Sequence, residues 1–444
     1  MKTFFKNLYL NNLFFYCIMA IIVSFVCAFF FPAWYNASWY LFYILGLFTI
    51  VDALLLFLYK NQIKAYRKTP EKLSNGDDNE VHLSIENNYS FPSSLKIIDE
   101  IPFQFQKRDF QITRKVKAGT SNQLKYFLRP TERGVYTFGA LNIYASSPIG
   151  LVAKRYRFNA SHSIPNYPSY LQLKKYELMA FSNNLLQYGM KKVRRIGQTM
   201  EFEQIKEYVQ GDNIKNINWK ATAKKNVLMV NQFQDEKSQN VYMIIDKGRV
   251  MQMPFNGLSL LDYSINSALA LANIIIKKQD KSGLLTFAKR TENWVKADKR
   301  SGQMQLLLEN LYQIKTNFIE SDYSRLYADV KRNIKQRSLL LLFTNFETLD
   351  GLNRQLPYLK GLAKNHKVVV LFFKNTEVED FKAKKAETVQ EIYDKTIAEK
   401  LSFEKRLIVN ELRKYGISTV LTKPENLTLE SINKYLEIKA KGVL

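Results

Sequence analysis

The chain has 444 residues, a formal net charge of +25, 46% hydrophobic and 24% charged residues. That length predicts two or three domains, and the apolar content excludes a disordered chain. The charge calls for an acidic counterpart: nucleic acid, anionic lipid or an acidic protein face.

Leu13 to Phe31 carry no charge over nineteen residues, enough to cross a bilayer. Pro32 and Trp34 follow, as at a membrane interface, and a second apolar span runs from Trp39 to Tyr59. Lys2 and Lys6 precede the first span, Lys60, Lys64, Arg67 and Lys68 follow the second, and the AWYNA link has no basic residue. The positive-inside rule therefore predicts a transmembrane hairpin over 1–68 with both ends cytoplasmic. No small-residue cleavage site follows the first span, which ranks a cleaved signal peptide below the hairpin. Asp52 reads either as a carboxylate near the cytoplasmic third, protonated or reaching toward Lys60, or as a proton or ion relay; a lone acid favours the first. Cys17 and Cys27, ten residues apart, would stand about 15 Å apart on a helix, too far for a disulfide.

From 79 to 170 the pattern changes to short alternating segments such as VHLSIEN and LKYFLRP, broken by Asn, Pro and Gly. This predicts a sandwich-like β domain. A basic connector, 171–237, holds Lys191, Lys192, Arg194 and Arg195 without interleaved aromatics, favouring anionic lipid or an acidic protein over nucleic acid. From 238 to 444, apolar runs (VYMIID, SGLLTFA, SLLLLFT, KVVVLFF, ISTVLT) alternate with helical stripes. This predicts a doubly wound, mostly parallel α/β sheet, in which ligands bind outside the carboxyl ends of the strands. Asp246, Thr344 and Asn345 stand at those ends.

Phosphate-cradling glycine motifs and a nucleophile elbow are absent, and His82, His162 and His366 have no second metal ligand nearby in sequence. The common hydrolase, kinase and metalloprotease readings drop out.

Gly211-Asp212, Ile217, the run Asn218, Trp219, Lys220, Ala221, Thr222, Ala223, then Leu228, Val230 and Glu236 resemble the hallmark of domain of unknown function family 58. The resemblance extends over nearly the whole chain, including RPTERGVYTFG and SSPIGL, and the closing PENLTLESINKYLEIKAKG looks like the branch found in Bacteroidetes-type bacteria. It implies a C-terminal von Willebrand factor A-like domain and association with a MoxR-type AAA+ ATPase in assembly or activation of other proteins. In von Willebrand A domains the first strand ends in Asp-x-Ser-x-Ser, a metal-ion-dependent adhesion site. Here Asp246 matches the Asp, Gly248 and Val250 occupy the serine positions, Ser321 matches the Thr, and Asn345, after Thr344, occupies the second Asp position. The site is thus expected to be degenerate, without a metal or cofactor, holding Mg²⁺ weakly at Asp246 and Ser321 if at all. Lys247 and Arg249 are expected to supply charge beside Asp246.

The expectation is a membrane-anchored, non-enzymatic adaptor in the bacterial inner membrane, with the bulk of the chain cytoplasmic and a protein partner at the strand ends. The alternatives are an enzyme with a site near Asp212 and Glu236, and a nucleic-acid-binding membrane protein. Trp219 is expected to be a buried anchor.

Overall fold

The computed structural model describes residues 6–58, 62–169, 171, 176–177, 201–210, 212, 214–234, 238–316, 318–383 and 388–442. Lys191, Lys192, Arg194, Arg195, Gly211 and Glu236 lie outside them. The chain divides into two compact units, Met1–Tyr167 and Pro168–Leu444.

The first unit begins with a short strand, β1 (Leu8–Leu10), then two helices, α1 (Asn12–Phe30) and α2 (Tyr35–Phe57), both long and apolar enough to cross a bilayer. A 3₁₀ turn, Pro32–Trp34, with proline at its first position, reverses the chain between them. Three sheets follow around one core. The first joins β2 (Ile63–Lys68), β4 (Asn79–Asn87) and β7 (Thr120–Leu128). The second runs β1, β10 (Val152–Phe158), β9 (Leu141–Ser146), β5 (Ser93–Asp99) and β6 (Gln111–Val116). The third joins β3 (Leu73–Ser74), β11 (His162–Tyr167) and β8 (Gly134–Phe138). Alternation fills the core: Val81, Leu83 and Ile85 of β4 and Leu95 and Ile97 of β5 are buried together.

Ile63–Lys68, which the sequence places in the hairpin segment, is instead a strand paired with β4. Its alternation is short and sits beside a much stronger apolar run. Arg67, expected among the charges flanking the membrane, is buried, ion-paired with Asp99 and donating to the Gly139 carbonyl at 2.9 Å.

Asp52 has a partner that neither sequence reading named. Its carboxylate is fully buried and accepts the backbone amides of Leu151 and Val152, each at 2.8 Å, and the Ser147 hydroxyl. One turn on, the Leu56 carbonyl accepts Lys154 Nζ and the Tyr89 hydroxyl, both at 2.8 Å. At the other end of the hairpin, β1 pairs with β10, and Asn11 Nδ2 donates to Ser146 Oγ at 2.9 Å and to the Gly150 carbonyl at 3.0 Å. Both ends of the hairpin are thus fastened to the same β sheet.

The second unit opens with a two-stranded antiparallel sheet, β12 (Glu201–Glu207) and β13 (Met229–Gln234), with a short helix, α3 (Trp219–Lys225), between them in sequence. Next come β14 (Asn240–Asp246), a small hairpin of β15 (Pro254–Phe255) and β16 (Leu258–Ser259), α4 (Leu260–Lys277), β17 (Lys281–Phe287), β18 (Thr291–Asp298), α5 (Gln303–Tyr312) and α6 (Tyr323–Asn333). The chain closes with β19 (Leu339–Phe343), α7 (Leu349–Asn365), β20 (Lys367–Phe373), α8 (Thr376–Ala383), α9 (Val389–Lys414), β21 (Ser418–Thr422) and α10 (Leu427–Ala440). Six strands form one sheet in the order β18-β17-β14-β19-β20-β21, parallel except for the edge strand β18.

Both faces of this sheet are buried, as the continuous apolar runs predict. Val241, Met243 and Ile245 of β14 face one cluster with α4, α5 and α10; Tyr242 and Ile244 face the other with α6, α7 and α9. The closing helix α10 is tied to the sheet's floor, where Asp280 accepts the Tyr435 hydroxyl at 2.5 Å and Lys439 Nζ at 2.7 Å.

Candidate functional site at the carboxyl ends of the parallel strands

From β14 the chain moves to β17 on one side and later to β19 on the other. This is a topological switch point, where the loops leaving β14 and β19 part. Asp246 ends β14 and Thr344 follows β19, so the two flank that point.

Asp246 is only 1% exposed. Its Oδ1 accepts the Gly248 amide at 2.9 Å and the Ser321 hydroxyl. Its Oδ2 accepts the Thr344 hydroxyl at 2.7 Å and lies 3.4 Å from the Tyr323 hydroxyl, itself 2.7 Å from Thr344 Oγ1. The cluster closes through a relay in which Tyr323 donates to Thr344 and Thr344 donates to Asp246. Burial pushes the Asp246 carboxyl above its ordinary value, against these hydrogen bonds, which pull it down. Tyr323 is pushed far up, by burial and by the adjacent carboxylate.

The structure therefore brings Asp246, Gly248, Ser321 and Thr344 together, adds Tyr323, and leaves two expected members out. Val250 packs against the hydrophobic core. Asn345 turns the other way, its Oδ1 accepting Lys405 Nζ at 2.8 Å. The expectation that Lys247 or Arg249 supplies charge to Asp246 is also corrected. Lys247 leaves the strand end and pairs with Glu292, while Arg249 is exposed. The partners of Asp246 are neutral hydroxyls and one amide.

Gly248 is more than a missing ligand. A Cβ built there would fall 2.2 Å from Ser321 Oγ and 3.0 Å from the Ile319 carbonyl. The volume of a serine at this position is already filled by Ser321, which reaches Asp246 from another loop. A hard divalent cation calls for several oxygens turned to one point with a position open. Here the carboxylate oxygens are turned to the chain's own donors, and the residues do not fit such an ion. No group of three or more His, Cys, Asp or Glu side chains converges among the described residues.

Beside Asn345 a cavity of about 370 Å³ opens, lined by Phe255, Phe373, Thr376, Leu401 and Lys405 among others. Lys405 comes from α9, and besides Asn345 its ammonium reaches the Phe346 carbonyl. Burial lowers its pKa to about 8. No sequence signal marks this lysine, because a cation in a long charged helix reads as solvated.

The hallmark segment forms a braced surface module. Asn218 caps α3, its Oδ1 accepting the Ala221 amide at 3.0 Å and its Nδ2 donating to Asn231 Oδ1 at 2.8 Å. Thr222 Oγ1 accepts the Met229 amide at 3.0 Å. Asp212 is a turn residue, accepting Lys206 Nζ at 2.9 Å and the Val209 amide at 3.0 Å, and the Lys206 contact holds its carboxyl below the usual range. Lys220 and Ala223 are exposed. So is Trp219, at 69%, which corrects the expected burial: among the described residues the short helix sits on a two-stranded sheet with no second layer to cover an indole. Val209, Ile214, Val227 and Leu228 of the same module are exposed too.

These features define the class: a mostly parallel α/β unit with helices on both faces, preceded by a β-rich unit that carries two apolar helices. Residues 204–385 match the model of the family described as "Protein of unknown function DUF58". The chain is 22% identical over 217 residues to the uncharacterized protein YeaD of Bacillus subtilis (strain 168), a match covering 47% of this chain and 54% of that one. The chain thus spans about half the length of this curated relative. Among solved structures, proximal thread matrix protein 1 from the mussel byssus matches 45% of this chain and 46% of its own at 9% identity, with a TM-score of 0.26. The CARDB domain of the PF1109 protein from Pyrococcus furiosus matches 23% of this chain and 86% of its own at 14% identity, with a TM-score of 0.17. Scores this low support no shared fold.

Proposed function

We propose that this chain is a membrane-anchored, non-enzymatic docking protein. The apolar hairpin spans the inner membrane with both ends and the bulk of the chain in the cytoplasm. The hallmark module and a von Willebrand A-like α/β unit receive a protein partner, a MoxR-type AAA+ ATPase by the family resemblance. The observation that carries the reading is Trp219: an indole 69% exposed on a helix braced by Asn218 and Thr222. Exposed tryptophan on a rigid support is the residue type that most often dominates a protein interface. The Asp246 cluster works as a structural lock at the switch point and needs no divalent ion, since its oxygens are engaged by Gly248, Ser321 and Thr344.

The test is a binding titration of a purified MoxR-type ATPase from the same bacterium against the full chain held in nanodiscs. Trp219→Ala should weaken binding at least tenfold, the loss of a hot spot of about 2 kcal/mol. Its melting temperature should stay within the scatter of a surface substitution. Unchanged affinity in the variant would refute this surface as the docking site.

A further inference from the structure

We propose that the first unit holds one anionic phospholipid, its phosphate against Lys96 and Lys115 and an acyl chain between α1 and α2. The proposal rests on reading the hairpin as membrane-spanning.

The loop from Ser147 to Leu151 enters between the two helices. Ile149 and Leu151 line, with Cys17, Ile21, Leu45 and Phe48, a cavity of about 350 Å³ whose walls are mostly apolar. Cys17 and Ile21 lie five and nine residues past the start of α1 at Asn12. At 1.5 Å per residue that is roughly 8–14 Å along the helix, inside one leaflet of a hydrocarbon core about 30 Å thick. An apolar cavity at that depth excludes water and offers its surface to an acyl chain.

Irregular backbone is tolerated at membrane depth only where its polar groups are satisfied internally. Asp52 does this for the loop: it accepts the Leu151 and Val152 amides and the Ser147 hydroxyl, and Ser147 Oγ in turn accepts the Ile149 amide at 3.0 Å. Gly150, at a φ of +76°, supplies the left-handed turn. The loop is thus built to stand among the helices.

Ile149 also lines a second cavity, of about 880 Å³, on the outer face of the five-stranded sheet. Its other walls are mixed, with Leu10, Leu13 and Ile98 beside a polar stretch that holds two lysines. Strand alternation turns Lys96 outward on β5 while Leu95 and Ile97 are buried, and Lys115 of β6 lies opposite Ser94. Ser94, Thr113 and Ser146 add hydroxyls. Among the described residues neither lysine has a carboxylate within ion-pair distance. Two uncompensated ammonium groups and a set of hydroxyl donors beside an apolar slot complement a phosphate joined to a hydrocarbon chain. A zwitterionic headgroup would bring its own cation against the lysines, and a free phosphate would leave the apolar slot unused.

The full chain, extracted in mild detergent, is mixed with equal amounts of phosphatidylglycerol and phosphatidylcholine. Lipid retained after delipidation is counted by native mass spectrometry. One phosphatidylglycerol per chain should remain, at least tenfold over phosphatidylcholine. Lys96→Ala with Lys115→Ala should remove that preference without altering the melting temperature, because both side chains are exposed. Ile149→Trp, which fills the slot, should lower retention with the lysines intact. Equal retention of the two lipids, or a preference that survives the lysine substitutions, would overturn the proposal. Alkaline carbonate extraction of cell membranes separates the two readings. Protein released into the supernatant sinks the spanning hairpin, whereas protein that stays in the membrane yet shows no lipid preference sinks the lipid site alone.

Discussion

Asp246 is buried, and among the described residues no cation pairs with it; its chemistry follows from that. Its carboxyl is raised above the ordinary 3.8 because burial outweighs the hydrogen bonds from Ser321, Gly248, Thr344 and Tyr323. A carboxyl whose folded pKa exceeds its unfolded one binds more protons when folded. Its stabilising contribution is full below the unfolded value and is lost as pH rises through the folded one. Asp246→Asn keeps the shape and removes the ionisation. Denaturant unfolding of the full chain from pH 4 to 7 should therefore show a decline in wild-type stability that is shallower in the variant. Asp246→Ala should cost about 2–4 kcal/mol near pH 4, since it strands several buried donors, and less as pH rises, since it also removes the ionisation. An alanine variant as stable as wild type near pH 4 would contradict the lock. The Asp246–Ser321–Thr344 grouping was legible through the family resemblance. Tyr323 was not, because a tyrosine heading an amphipathic helix reads as core, and it is core in every atom but its hydroxyl.

At the scale of elements, Asp52 fixes the hairpin to the β sheet. Asp52→Ala would leave the Leu151 and Val152 amides and the Ser147 hydroxyl without an acceptor in an apolar setting, at about 1–3 kcal/mol for each group that finds no new partner. The full chain in detergent should lose several degrees of melting temperature, and no loss would mean that the clamp carries little of the unit's stability. The apolar runs of β14, β17, β19, β20 and β21 were readable because strands buried on both faces leave an unbroken signature. The edge strand β18, reading TENWVKAD, was not, since one face of it is solvated and its charges mask the alternation. Trp219 was misplaced for a related reason. Size and hydrophobicity argue for burial, whereas only the layer arrangement tells whether anything lies above the residue.

Over the whole molecule, β1 and β2 flank the hairpin and both belong to the β-rich unit. If α1 and α2 cross a bilayer, the start of α1 and the end of α2 must lie on one side, the side of that unit. A fluorescent protein fused after Leu444 should mature and fluoresce in the cytoplasm, and an alkaline phosphatase fusion at the same point should be inactive; the reverse pattern would invert the topology. The central claim is that the hallmark module docks a protein partner. Its most direct measurement is photo-crosslinking in living cells, with a photoreactive amino acid at position 219 and, as the comparison, at Phe103, 85% exposed on the other unit. The account predicts a crosslink to a MoxR-type ATPase from position 219 and none from position 103. Crosslinks to that ATPase from neither position, or equally from both, would contradict it.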